Sequence, residues 1–249
     1  MKTKAIGVIP ARWASTRFPG KVLADLNGKP MIYYVWRQAR KSSLLQDVII
    51  ACDAEHVEKA CKAFGAKAVM TSSEHQSGTD RIAEAVRNVD ADIVVNIQGD
   101  EPLISPDVID RLAAELINAD KHCPVATVIK RIDDEADVAN PNVVKVVVDC
   151  NGYALYFSRH GIPYHRSRKE WGSGTVYFKH LGIYAYRKNF LMGFHSLPVS
   201  FLEEAEKLEQ LRVLEAGLKI KTITTESETL GVDTPEDLER VARVLKEDQ

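Results

Sequence analysis

The sequence predicts an α/β fold, a doubly wound, mostly parallel sheet with an elaborated second half. Three observations carry this. Short apolar runs alternate with amphipathic segments through the first 130 residues, the order that builds βαβ units. Runs such as DVIIAC and DIVVNI are continuously apolar, as in strands covered on both faces. Helix start and stop residues fall where such a fold needs them.

Ala5–Ile9 reads as the first strand and Met31–Arg40 as the first helix. Val48–Cys52 is a strand, and Ala54–Phe64 a helix with Gly65 at the position after its C-cap. Ala68–Met70 is a strand, Asp80–Val89 a helix and Ile93–Ile97 a strand. Ser105 and Pro106 open a helix over Pro106–Asn118 as N-cap and N1 proline. Val125–Ile129 is a strand. Beyond Lys130 the pattern changes. NVVKVVVD and YALYFSR read as strands around a turn at Asn151–Gly152, Tyr164 to Gly174 as a long loop, and HLGIYAY as a further strand. Leu202–Ala216 reads as one helix, with Leu208, Leu211 and Leu214 on its apolar side and Gly217 closing it. Lys219–Thr224 is a strand, and Thr234-Pro235-Glu236-Asp237 opens a last helix with a cap, a proline and early acids. Without repeat or linker, residues 1–249 read as a single domain.

A chain of 249 residues with 27% charged residues and a net charge of -2 is an ordinary globular protein. That charge argues against nucleic acid or an anionic membrane as partner. No apolar stretch approaches the roughly 20 residues of a membrane span, and MKTKAIGVIPAR breaks too early for a signal peptide. Cys52, Cys61, Cys123 and Cys150 have neither metal-site nor disulfide spacing. Cys52 and Cys61 read as buried thiols, which fits a reducing cytoplasm.

Four segments concentrate the chemistry. From Val8 to Pro30, VIPARWASTRFPGKVLADLNGKP places Arg12, Arg17 and Lys21 in a loop with Ser15, Thr16 and Gly20 just after the first strand. Forked guanidinium donors, a point charge and accessible backbone N–H groups suit a polyphosphate; the alternative is a solvated basic loop. VVNIQGDEPLI runs a buried strand straight into Gln98-Gly99-Asp100-Glu101-Pro102. Ligands of doubly wound sheets bind at strand carboxyl ends, so Asp100 faces the same crevice, where a bridging Mg²⁺ would reconcile it with phosphate. Otherwise it is an acidic turn without a ligand. Asp233, just before Thr234, is by itself a helix-start acid; only if the last helix returns beside the crevice could it share a metal with Asp100. In HQSGTDR, Ser77-Gly78-Thr79 precede a helix whose first turn holds Asp80 and Arg81. Such a turn suits a nucleobase edge or a simple N-cap.

Taken together, these segments resemble the 3-deoxy-manno-octulosonate cytidylyltransferase (CMP-Kdo synthetase) family, whose fold is of the nucleotidyltransferase, GT-A-like type. The similarity spans nearly the whole chain through PARWASTRFPGK, NGKPMI, SGTDR, NIQGDEP, ALYFSR, HLGIYAY, LEQLR and GVDTPEDLERV, in family order. The resemblance implies a nucleotide-binding half over 1–130 and a sugar-binding and dimerisation half over 131–249. It implies CTP contacts from Pro10, Ala11, Arg12, Ser15, Arg17, Lys21, Ser77, Gly78, Asp80 and Arg81, with Asp100 and Asp233 as metal ligands. Arg12, Lys21, Asp100 and Asp233 would form the catalytic set. Gln98, Arg159, His180, Tyr184, Glu209 and Gln210 match the Kdo-binding positions. Arg159 could fork onto the sugar carboxylate, and the others offer mixed donors and acceptors to hydroxyls. The implied activity is Mg²⁺-dependent transfer of CMP from CTP to the anomeric hydroxyl of Kdo, in a cytoplasmic homodimer. A related acidic sugar, such as a sialic acid or an amino-substituted Kdo, would differ only in the sugar shell. A non-catalytic nucleotide-sugar binding module would have no need of Lys21, Asp100 and Asp233 together.

Overall fold

Strands that are apolar on both sides must lie between two helical layers, and the chain is arranged that way. The computed structural model describes residues 3–14, 18–75, 77–166, 176–227 and 230–247. The first half contains β1 (Ala5–Ala11), β2 (Asp25–Leu26), β3 (Lys29–Pro30), α1 (Met31–Ala39), β4 (Leu45–Cys52), α2 (Glu55–Ala63), β5 (Lys67–Met70), α3 (Gly78–Val86), β6 (Ile93–Asn96), α4 (Pro106–Asn118) and β7 (Val125–Arg131). The second contains α5 (Glu135–Ala139), β8 (Lys145–Val148), β9 (Ala154–Ser158), β10 (Phe178–Arg187), α6 (Lys188–Gly193), α7 (Phe201–Glu206), α8 (Leu211–Glu215), β11 (Ile220–Thr224) and α9 (Pro235–Glu247).

The main sheet runs β11-β7-β10-β6-β1-β4-β5, with β8 paired to β10 and β9 to β8. Along that path β10 is the reversed strand, antiparallel to β6 and β7; the remaining pairings are parallel. One face of the sheet is covered by α1, α2 and α4 through residues such as Val35, Cys61 and Leu112. The other is covered by α3, α6 and α8 through Ile82, Leu191 and Leu211. A smaller cluster of Leu26, Met31, Tyr34, Val232 and Val241 docks α9 against α1 and the β2–β3 hairpin. Asn27, at φ 51, donates its side-chain amide to the Ala242 carbonyl at 3.0 Å. This dock carries the end of the chain back beside the loop that follows β1.

The expected strands and the helices of the first half are present, with shifted ends. Ser77 caps α3, so that helix begins at Gly78 rather than Asp80. The short β2–β3 hairpin, α5 and α6 lack the length for a periodic signal and were not expected. The helix expected over Leu202–Ala216 is two helices. A capping box of Ser200 and Glu203 starts α7, and Lys207, in the left-handed region at φ 53, ends it. Arg212 of α8 forks back onto Glu203 with two bonds of 2.6 Å. Leu208, Leu211 and Leu214, whose helical spacing marked the segment, all lie beyond Lys207, so their periodicity carries no signal of the inversion before them. Of the loop expected from Tyr164 to Gly174, residues 167–174 lie outside the described residues.

Candidate active site

β1, β4 and β6 are parallel neighbours, so their carboxyl ends share one edge of the sheet. Pro10, near the end of β1, is where three segments meet. A Cβ on Gly99 would sit 2.7 Å from the Pro10 carbonyl oxygen, and one on Gly78 would lie 3.7 Å from the Pro10 ring. The turns after β6 and before α3 therefore press directly on the start of the basic loop. That loop is folded back by a bond from Gly20 N–H to the Trp13 carbonyl. Gly20, at φ 70, lies so close to the Trp13 ring that a Cβ would be 2.6 Å from it. Asp53, at the end of β4, accepts from Trp13 N–H at 2.8 Å and from Arg81 Nη2 at 3.0 Å.

Lys21 reaches inward from this loop. Its ammonium donates to Asp100 Oδ2 at 2.7 Å, to the Val232 carbonyl at 3.0 Å and to Asp233 Oδ1 at 3.1 Å. Val232 N–H in turn donates to the Asp100 carbonyl at 2.9 Å. The condition set by the sequence is met: α9 does return to the crevice. Asp233 does not cap it, because Thr234 and Asp237 perform that task. Asp237 N–H donates to Thr234 Oγ1 at 3.3 Å, while Asp237 Oδ2 accepts from Thr234 N–H at 3.0 Å. Burial pushes the Asp237 carboxyl up, but the N–H and O–H bonds it accepts outweigh that and hold it below the usual range. The Asp233 carboxylate turns instead to Lys21. Glu101, next to Asp100, has a buried Oε2 with no partner among the described residues. Burial, then the charge of Asp100, pushes its carboxyl up to about 8.

The described residues contain no group of three or more His, Cys, Asp or Glu around a common point. Two hard carboxylates beside a phosphate-type loop nevertheless fit Mg²⁺, which takes one or two carboxylates and completes its shell with phosphate and water.

The sugar-shell candidates gather around β10. His180 lies 5.1 Å, centroid to centroid, from Phe157 and 5.2 Å from Tyr184, which stacks on Tyr186 at 5.6 Å. The β7–β10 ladder slips between Leu181 and Tyr184, a bulge of the kind that re-aims side chains near sites. Within it, Gln98 donates to the Gly182 carbonyl at 2.8 Å. Gly182 faces open space, since a Cβ there would meet nothing within 4 Å. Glu209, in the break between α7 and α8, accepts from the Thr79 hydroxyl. Burial pushes its carboxyl up, against the opposing pull of that bond. Gln210 is buried, and its Nε2 finds no partner among the described residues.

Several expected residues stand differently. Arg81 was expected at the nucleotide; its side chain is 3% exposed, turned under the turn onto Asp53 and Thr71. It braces the site from below. Ser77 serves as a cap, accepting from Asp80 N–H at 3.1 Å, and its hydroxyl lies 2.9 Å from Asp80 Oδ2. Arg159 donates to the carbonyls of Glu206, Pro141 and Lys207 at 2.7, 3.0 and 3.4 Å, which ties it to the end of α7. Two of its five N–H groups remain for a ligand. Arg12 is exposed at the mouth of the loop, and Ala11 is buried at the end of β1. Ser15 and Arg17 lie outside the described residues. Asp53 was missed, although an acid directly after the apolar run VIIAC follows the same strand-end rule that marked Asp100.

Residues 6–220 match the model of a family described as Cytidylyltransferase. The chain belongs to that cytidylyltransferase family. A 3-deoxy-manno-octulosonate cytidylyltransferase of Solibacter usitatus is 51% identical over 246 residues, covering 99% of this chain and 96% of its own. One of the same name from Trichlorobacter lovleyi is 47% identical, covering 97% and 98%. Among solved structures, a CMP:2-keto-3-deoxy-manno-octonic acid synthetase complexed with CTP superposes with a TM-score of 0.93 at 45% identity, over 99% of this chain and all of the other. The fold of this cytidylyltransferase is thus the nucleotidyltransferase fold expected from its motifs.

The imidazole of His180 gives the site a pH signature. Loss of solvation among the surrounding rings pushes its pKa down from 6.5 to about 3. Between those values the unfolded chain binds the extra proton, so the stability present above pH 6.5 is lost as pH falls toward 3. The slope is about 1.4 kcal/mol per pH unit. Urea unfolding at pH 7 and pH 5 should show wild type losing about 2 kcal/mol more than His180→Gln. Equal losses would mean that the ring is not held neutral by its surroundings.

Proposed function

We propose that this protein transfers CMP from CTP to the anomeric hydroxyl of 3-deoxy-manno-octulosonate (Kdo), releasing pyrophosphate, with Mg²⁺ as cofactor. The observation that carries this reading is the meeting of Lys21, Asp100 and Asp233 at the carboxyl edge of the sheet. It occurs in a chain that aligns end to end with Kdo cytidylyltransferases.

The residues divide the work. Arg12, exposed beside the crevice, offers a planar fork to phosphate oxygens. Lys21 spends its three N–H donors on two carboxylates and a carbonyl, so it meets a phosphate by exchanging one of them. That contact strengthens as charge builds on the departing pyrophosphate, which is where it lowers the barrier. Held by Asp100 and Asp233, Mg²⁺ would neutralise phosphate charge and acidify the attacking hydroxyl. No protein nucleophile is required. On the sugar side, Gln98 holds the Gly182 carbonyl, His180 and Tyr184 flank the same bulge, and Glu209 and Gln210 supply further polar groups from the break before α8. The Gln210 Nε2, without a partner among the described residues, suits a hydroxyl acceptor. Arg159 holds the turn that carries Glu209 and Gln210, with its remaining N–H groups available to the sugar carboxylate.

Pyrophosphate release from each of the four nucleoside triphosphates, with Kdo and with other acidic sugars, tests the reaction; release with CTP and Kdo is expected to dominate. Asp233→Asn tests the site. As a helix-start acid it would cost at most about 1 kcal/mol of stability and leave kcat alone. As a metal ligand it should leave CTP affinity and thermal stability near wild type while kcat falls by orders of magnitude.

Gly182→Ala tests the sugar pocket. Its methyl group enters open space, so the melting temperature should not move, yet KM for Kdo should rise about tenfold while KM for CTP is unchanged. An unaltered KM for Kdo would move the sugar elsewhere.

A homodimer through the second half is supported by Leu155, Tyr164, Val199 and Phe201, large apolar residues exposed there, with Leu155 on β9, which among the described strands pairs with β8 alone. Sedimentation should give a dimer for wild type and a monomer for Leu155→Glu. The free buried thiols of Cys52, Cys61 and Cys123 support a reducing cytoplasm as its location, and no helix among the described residues is long and apolar enough to cross a membrane.

A further inference from the structure

Thr127, in the middle of β7, is fully buried. Its hydroxyl oxygen stands 2.8 Å from the Ile183 carbonyl and 2.9 Å from His180 Nε2. His180 lies just before the β10 bulge and Ile183 within it, so the hydroxyl ties the regular strand to its irregularity. A hydroxyl has one proton, and a carbonyl oxygen can only accept. The proton of Thr127 therefore goes to Ile183, and its lone pair faces His180. Nε2 must then carry the hydrogen. The ring is neutral, so it has no second one, and Nδ1 is left as a lone-pair acceptor. No protein group among the described residues takes Nδ1.

We propose that Thr127 is a specificity-determining positioning residue: it fixes the His180 tautomer so that Nδ1 accepts a hydrogen bond from a hydroxyl of the sugar and turns away a carboxylate oxygen. The inference rests on the proposed sugar-binding role of His180 and adds the direction of the hydrogen bond. With Nδ1 protonated instead, the same ring would favour an anion and would discriminate poorly between the hydroxyl and carboxylate ends of an acidic sugar. The bulge is part of the device, because it brings the Ile183 carbonyl and the His180 ring onto one hydroxyl. A Thr127 lacking its acceptor would be free to rotate and would accommodate either tautomer.

The test reads the proton directly. In protein labelled with ¹⁵N-histidine, long-range ¹H–¹⁵N spectra, assigned by loss of one of the seven His signals in His180→Gln, should show hydrogen on Nε2 and none on Nδ1 at pH 7. Hydrogen on Nδ1 would overturn the proposal, and this measurement needs no variant of Thr127 to fold. Thr127→Val should let the proton redistribute and raise KM for Kdo about tenfold, with KM for CTP unchanged. Thr127→Ser, which keeps the hydroxyl, should restore both. If His180→Gln leaves KM for Kdo unchanged, the sugar-binding role of His180 fails and the proposal falls with it. If His180→Gln impairs Kdo binding while Thr127→Val alters neither tautomer nor KM, that role stands and the proposal alone is overturned.

Discussion

One ammonium group closes this site. Lys21 belongs to the loop after β1, Asp100 to the turn after β6, and Asp233 to the approach to α9; none is near another in sequence. Two carboxylates brought together repel each other, and a partly enclosed cation between them removes that cost. The Val232 carbonyl takes the third donor of the same ammonium, so the polypeptide before α9 is held as well as its side chain. The cluster of Leu26, Met31, Tyr34, Val232 and Val241 is what delivers that segment. The apolar dock and the ion cluster therefore depend on each other. Burial brings the acid into reach, and the charge fixes where it stops.

The reversed strand β10 plays the corresponding part in the second half of the chain. A regular antiparallel ladder would spend its carbonyls alternately on β7 and β6. The slip between Leu181 and Tyr184 instead offers main-chain oxygens to side chains, and Gln98 and Thr127 take them. Side-chain bonds to a bulge are specific in a way a ladder is not, since they depend on which residues stand at two other strands. The split between α7 and α8 has the same character. It places Glu209 against Thr79 at the start of α3, so the turn before α3 and the break between α7 and α8 share a hydrogen bond.

Most of the architecture was legible because it rests on local signals. Continuous apolar runs marked the central strands, and Gly65, Ser105-Pro106 and Thr234-Pro235 marked helix ends. Asp100 was legible from the strand-end rule alone. Asp233 was not, because its role depends on where α9 packs, and that is set by a hairpin of two-residue strands too short to show a period. The burial of Arg81 was not legible for a related reason: only the arrival of Asp53 from β4 makes it favourable. The break at Lys207 was hidden because Leu208, Leu211 and Leu214, on which the helix was read, all lie beyond it. Periodicity sees which side chains are buried and is blind to a single backbone inversion beside them.

The contact between Gly99 and Pro10 has a consequence for how this site can vary. Gly99 does not adopt a left-handed conformation; its own backbone would accept a side chain. What excludes one is the Pro10 carbonyl, from a strand far earlier in the chain, 2.7 Å from where the first carbon would go. The distance between the basic loop after β1 and the acid that follows Gly99 is thus gauged by one missing atom. Any substituent at that position acts as a shim, widening the gap between two groups whose usefulness lies in their separation.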